Sequence, residues 1–103
     1  MIKNAIVRNT FLGYDHGILT SFLHIEFESS SQCFGGYSLD RPNEQPSVAC
    51  GAFIAGVLKT LEIDSWEKIV KIPCRVEIDE KFDTIIRIGH FVKDKWFDPK
   101  TIF

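Results

Sequence analysis

The chain predicts an α+β domain, a curved antiparallel sheet of about five strands packed by one longer and one short helix in the order β-β-β-α-α-β-β. Three observations carry that expectation. Period-two apolar patterning recurs near both ends of the chain, helical spacing is confined to the middle, and a glycine pair interrupts what otherwise reads as a strand. Consecutive glycines are best explained where the backbone needs positive φ or close approach, and in a sheet they mark a bulge at which it turns a corner.

The first strand is expected over Ile2 to Tyr14, where Ile2, Ile6, Val7, Phe11 and Leu12 alternate loosely with polar residues. Asp15-His16-Gly17 then supplies hairpin-turn chemistry, and the second strand returns through Ile18 to Phe27. Its alternation sets Leu19, Leu23, Ile25 and Phe27 on one face and Thr20, Phe22, His24 and Glu26 on the other, so one side is core and the other only half apolar. His24 and Glu26 are neighbours on the wetter side, an arrangement that is usually structural. After the polar connector Glu28-Ser29-Ser30-Ser31, a third strand over 32–39 holds Gly35 and Gly36 between Phe34 and Tyr37.

The segment from Asp40 to Pro46 has two prolines and no apolar residue, the longest loop of the chain. Ser47 is a good N-cap, and Cys50, Phe53, Ile54, Val57, Leu58 and Leu61 follow at helical spacing. The other side of this helix holds Gly51, Ala52, Ala55 and Gly56, small residues that permit close approach to the sheet or to a second copy of the chain, so a homodimer through the helix 47–61 is one expectation. Asp64-Ser65-Trp66-Glu67 reads as a capping-box variant opening a short helix that Pro73 stops, with Trp66 as a lid on the core. A hairpin follows, Cys74 to Asp79 returning through Thr84 to Val92, with Arg75 and Glu77 facing Arg87 on the solvent side.

Composition bounds the function. The chain has 103 residues, enough for one domain over 1–103. Its net charge of −2 gives no general attraction to polyphosphate, which makes nucleic acid the less favoured partner. No apolar run reaches the roughly 20 residues of a membrane span, and the first residues do not read as a signal peptide, so a cytoplasmic protein is expected. Cys33, Cys50 and Cys74 are odd in number and widely spaced, which argues against a disulfide framework or a structural zinc site. A cysteine hydrolase built on Cys33, and a metal site drawn from Asp15, His16, His24, His90, Asp94 and Asp98, are the enzymatic alternatives. Neither shows local spacing that favours it, so the expectation is a protein with no catalytic residue and no cofactor.

The candidate ligand site is a cradle formed by Phe34, Gly35, Gly36 and Tyr37 with Asp40 at its edge, Trp96 stacking on the ligand and Lys93 or Lys95 meeting phosphate. The competing structural reading makes the glycines a sheet bulge and nothing more.

Asp15-His16-Gly17-Ile18-Leu19-Thr20, Phe34-Gly35-Gly36-Tyr37-Ser38-Leu39-Asp40, Asp64-Ser65-Trp66-Glu67 and the run from Ile88 to Pro99 that contains Lys93-Asp94-Lys95-Trp96-Phe97-Asp98-Pro99 together resemble a family of small phage and prophage proteins. The resemblance covers nearly the whole chain. It implies a viral gene product working in a bacterial cytoplasm and supplies no catalytic residue. From that context comes the functional expectation, a non-enzymatic binding protein that counters host antiviral defence by sequestering a nucleotide-type signal or by occluding a host defence protein. The alternatives are a single-stranded nucleic-acid-binding accessory of phage replication or recombination, and an oligomeric structural or assembly protein.

Overall fold

A computed structural model describes residues 1–40 and 48–103. The expected loop after Asp40 and the Ser47 cap lie outside the described residues. Strands β1 (Ile2–Asp15), β2 (Ile18–Phe27), β3 (Ser30–Gly35), β4 (Pro73–Asp79), β5 (Thr84–His90) and β6 (Trp96–Phe97) form one antiparallel sheet in the order β3-β2-β1-β4-β5-β6, and helix α1 (Val48–Leu61) packs on it. The α+β class is as the sequence predicts.

The β1-β2 turn is made by His16 at φ 52° and Gly17 at φ 81°, the pair of positive φ values that matches a two-residue hairpin to the twist of its strands. The β2-β3 connection is equally tight. Glu28 (φ 50°) and Ser29 (φ 64°) make the whole turn, so β3 begins at Ser30 and the expected four-residue connector shrinks to two.

A register shift between Val7 and Asn9 bends β1. Ile2 to Ile6 pair with β4, whereas Ile6 to Asp15 pair with β2, so the far end of the β1-β2 hairpin stands away from the β4-β5 hairpin as an arm. The sheet also rolls until the edge strand β3 approaches the start of β5. There the Gln32 side chain imitates a strand neighbour, its Nε2 donating to the Asp83 carbonyl at 2.6 Å and its Oε1 accepting from the Ile85 N–H at 3.0 Å.

Inside the roll lies the core, with Val7, Leu23, Ile25, Phe53, Val57, Ile69, Val76 and Ile88 sealed from solvent. Phe53 of α1 is its centre, its ring 6.4 Å from Phe34 and 5.7 Å from Phe97. Gly56 makes room for this, since a Cβ there would stand 2.5 Å from the Phe97 ring. The small side of α1 is therefore divided, Gly56 turned to Phe97 and Gly51 and Ala52 exposed.

Four elements differ from the sequence expectation: β3 stops at Gly35 instead of running to 39, β5 stops at His90 instead of Val92, and the short helix and the tail also depart from it. The short helix is a single 3₁₀ turn, Trp66–Lys68, because the Asp64 carboxylate pairs with Lys68 at 2.7 Å instead of capping, and Ser65 makes no side-chain cap either. A sixth strand appears in the tail, where Trp96 and Phe97 pair with Gly89 and Ile88. Trp66 packs against the core, half-buried.

Candidate functional site: the helix-free face of the sheet

The eight predicted site residues fall into three groups. Phe34 is a core residue, 3% exposed, and Gly35 and Gly36 form the corner beside it. Gly35 has φ 106°, and a Cβ on it would meet the Ser21 carbonyl at 2.6 Å, so the backbones approach where no other residue fits. Gly36 has φ 84° and donates its N–H to that carbonyl at 2.7 Å, yet its outer side faces open space. Tyr37 stacks on Phe103 at 4.3 Å and 8°, and its phenol is raised above its ordinary pKa by burial and then by the charge of Asp98. Asp40 runs back along β2, its carbonyl accepting from Leu19 N–H at 3.0 Å.

Trp96 does not join them. Neighbours on a strand point to opposite faces, and with Phe97 in the core the Trp96 ring lies outside, flat against Gly89, where a Cβ would stand 2.6 Å from the indole. Arg87 and Arg75 cover it at 4.3 Å and 5.0 Å, and its Nε1 donates to Asp94 at 3.0 Å. Lys93 and Lys95 form the third group. Lys93 Nζ is 2.8 Å and Lys95 Nζ 3.7 Å from Glu62, and His90 Nε2 is 2.9 Å from its other oxygen. The Glu62 carboxyl is held below the usual carboxylate range by the Lys93 hydrogen bond first and the surrounding charges second, with burial opposing. Because His90 Nδ1 accepts from the N–H groups of Val92 and Lys93, its proton sits on Nε2 and points at Glu62. These lysines tie the end of α1 to the β5-β6 turn.

What the fold does assemble is a continuous outer surface on the face that α1 leaves uncovered. Ile18, Thr20, Phe22, His24 and Glu26 of β2 share that face by alternation. Phe11 of β1 pairs with Phe22, their rings stacked at 5.5 Å, and the Phe22 ring meets His24 edge to face at 5.2 Å. At the corner end a hollow of about 170 Å³ opens beside Gly36, lined by Asp15, Ile18, Thr20 and Ser38. On the arm's opposite side Leu12 and Tyr14 stand 38% and 65% exposed. The rings at Phe11, Phe22 and His24 were missed as a group because their adjacency needs the β1-β2 register, although the half-apolar alternation of β2 was already visible.

The cations of this surface are committed. Arg8 pairs with Glu26 at 3.1 Å, Arg87 with Glu77 at 2.9 Å, and Arg75 donates to the carbonyls of His90 and Lys93 at 2.8 Å each. No lysine or arginine lines the hollow beside Gly36 among the described residues, and its one carboxylate is that of Asp15. A larger cavity of about 360 Å³ lies at the other end of the roll, where Phe27 and Ile78 are surrounded by Lys3, Glu28, Glu80 and Asp83.

Cys33 stands opposite His24 across β2 and β3, its Sγ 3.5 Å from Nε2 and 3.7 Å from Nδ1. Among the described residues no group of three or more histidine, cysteine, aspartate or glutamate side chains is placed to hold a metal ion, and no helix is long and apolar enough to cross a membrane. No protein-family model, no curated protein and no solved structure matches this chain.

Proposed function

We propose that the chain is a non-enzymatic binding protein that acts by covering a surface of a protein partner, and that in the phage setting its sequence resemblance implies, the partner is a host defence protein. The observation that carries this reading is the β1-β2 arm, which offers Phe11, Phe22 and His24 on one side and Leu12 and Tyr14 on the other while α1 packs on β5 and β6. Clustered aromatic rings with a polar ion pair at their edge, here Arg8 with Glu26 beside His24, are the composition of protein-interface centres.

Sequestering a nucleotide is less well supported. The stacking ring, the lysines and the glycines proposed for it lie in three separate places, and the hollow beside Gly36 holds a carboxylate where phosphate would need a cation. A single-stranded nucleic acid would need free cations along the rings, and the arginines beside them are engaged with acids or carbonyls.

The test is protection of phage growth in bacteria carrying a defence system that the wild-type chain counters. Tyr14→Asp with Phe22→Asp is expected to abolish protection while far-UV circular dichroism stays native, and Gly36→Ala is expected to retain it. Against a purified partner, Phe22→Ala should weaken Kd by about thirtyfold, the ~2 kcal/mol of one hot-spot ring. The opposite pattern, protection lost at Gly36 and kept in the arm variant, transfers function to the hollow and overturns the docking surface.

A further inference from the structure

We propose that the chain pairs with a second copy of itself through the free edge of β1, the two arms joining antiparallel into one continuous sheet. The phase of the backbone shows that this edge is open. On β2, Leu19 exchanges bonds with Asp40 and Leu39, and the Ser21 carbonyl takes the Gly36 N–H, so both residues turn their backbone groups away from β1. Their neighbours Ile18, Thr20 and Phe22 therefore face β1, where they pair with Asp15, Gly13 and Phe11. That leaves Leu12 and Tyr14 of β1 with N–H and C=O directed outward. Before the bulge, Val7 spends its outward groups on Lys71 and Ile72, and the Thr10 N–H is covered by Asn9 Oδ1. Among the described residues nothing meets the corresponding groups of Leu12 and Tyr14, whose side chains are exposed as well.

An open edge is a template for an extended strand, and proteins usually blunt it with charge, proline or a cover. The other edges are managed, β3 by the Gln32 clip to β5 and β6 by being two residues long. Residues 10–14 of β1 carry no charge and no proline. What selects a second copy as the occupant is the charge at the two ends of this stretch. Arg8 reaches Glu26 on the helix-free face, and Asp15 lies on the same face by alternation with Phe11. An antiparallel two-fold through Leu12 sets Arg8 of each copy beside Asp15 of the other, twice by symmetry.

The same register brings Phe11 opposite Gly13 of the second copy. Each Phe11 ring already lies over Gly13 of its own strand, 3.1 Å from where a Cβ would stand, so the two rings come side by side at the axis. The outer rings of both copies then form a single strip. This goes beyond the docking surface proposed above, which rests on Phe22 and requires no second copy.

The experiment is sedimentation equilibrium of the full chain, with amide hydrogen exchange followed by NMR. Wild type is expected to reach twice the 11.8 kDa of one chain, with a Kd of about 10–100 µM because one paired edge is smaller than a standard interface. The Leu12 and Tyr14 amides should be protected in the dimer. Leu12→Pro removes an N–H that the monomer does not use, as an edge strand tolerates, and should weaken dimerisation by at least about a hundredfold while far-UV circular dichroism stays native. Arg8→Asp and Asp15→Arg, each alone, turn two attractions into two repulsions and should weaken the dimer by about tenfold. An equimolar mixture of these two variants should recover wild-type affinity as a heterodimer, which an unfolded variant could not do. A monomeric wild type, a dimer in which Leu12 and Tyr14 exchange freely, or a mixture that associates no better than its components overturns the inference. Protection of Leu12 and Tyr14 only when a different protein is added does the same, and gives the edge to an extended segment of that protein.

Discussion

Two aromatic clusters lie on opposite faces of one sheet and behave as different materials. Inside the roll, Phe34, Phe53 and Phe97 meet through Gly56, whose missing side chain is the space Phe97 fills. Outside, Phe11, Phe22 and His24 rest on one another with solvent beyond. The same residue types hold the fold together in the first place and present a surface in the second, and what separates them is the position of α1. Composition alone, nine phenylalanines among 103 residues, could say only that some rings would be left over.

Truncation on the two faces should therefore diverge, and this is the largest effect expected. Phe53→Ala removes a fully buried ring at the meeting point of α1, β3 and β6, and should cost about 3–5 kcal/mol by urea unfolding. Phe22→Ala, on a half-buried ring, should cost no more than about 1 kcal/mol, the loss of one aromatic cross-strand pair. Equal costs would mean that the outer cluster is core as well, and the arm would lose its standing as a free surface.

The glycine corner sharpens the comparison, because its two members face different ways. Gly35→Ala drives a Cβ into the Ser21 carbonyl and against the Phe53 ring, 2.6 Å and 3.0 Å away, and should destabilise by about 1–3 kcal/mol as an overpacked site does. Gly36→Ala meets nothing within 4 Å and bears only the left-handed backbone, about 1 kcal/mol. Thermal unfolding of the two variants side by side measures the difference. If Gly36→Ala proved the more damaging, the hollow beside it would be part of the packing rather than open space.

How far the sequence could be read depends on the range of the information. The β1-β2 turn at His16-Gly17, the alternation of β2 and the α1 periodicity are local, and each is found where the pattern put it. The glycine pair was legible as a corner, since positive φ and close approach are properties of the residue itself. The candidate site was less legible. Phe34 and Trp96 are both large rings near glycines, but only the pairing of β6 to β5 shows that Trp96 and Phe97 divide between the two faces. The Cys33–His24 contact depends on the β2-β3 register, which the two-residue turn at Glu28-Ser29 fixes and which a four-residue connector would have shifted. Gln32 as a clip between β3 and β5 depends on the roll of the whole sheet and has no local signal.

The cysteines give the smallest and most specific form of the same contrast. Cys74, on the inner face, has no solvent contact, and burial pushes its thiol up to about 12. In the unfolded chain a cysteine ionises near ~8.5, so above that pH the unfolded state gives up a proton that the folded state keeps. The native state therefore holds its full stability below about pH 8.5 and loses it as pH rises toward the folded value, by about 1.4 kcal/mol at roughly pH 9.5 relative to neutral. Cys74→Ala should start less stable, through the lost packing, and show a shallower decline over that interval in urea titrations. Tyr37, also raised by burial, starts from an ordinary value of 10.0 and titrates in both proteins, so the difference between their slopes isolates the thiol. Identical slopes would mean that Cys74 ionises as freely in the folded protein as in the unfolded one, and that the inner face admits water where the outer face was thought to be the open side.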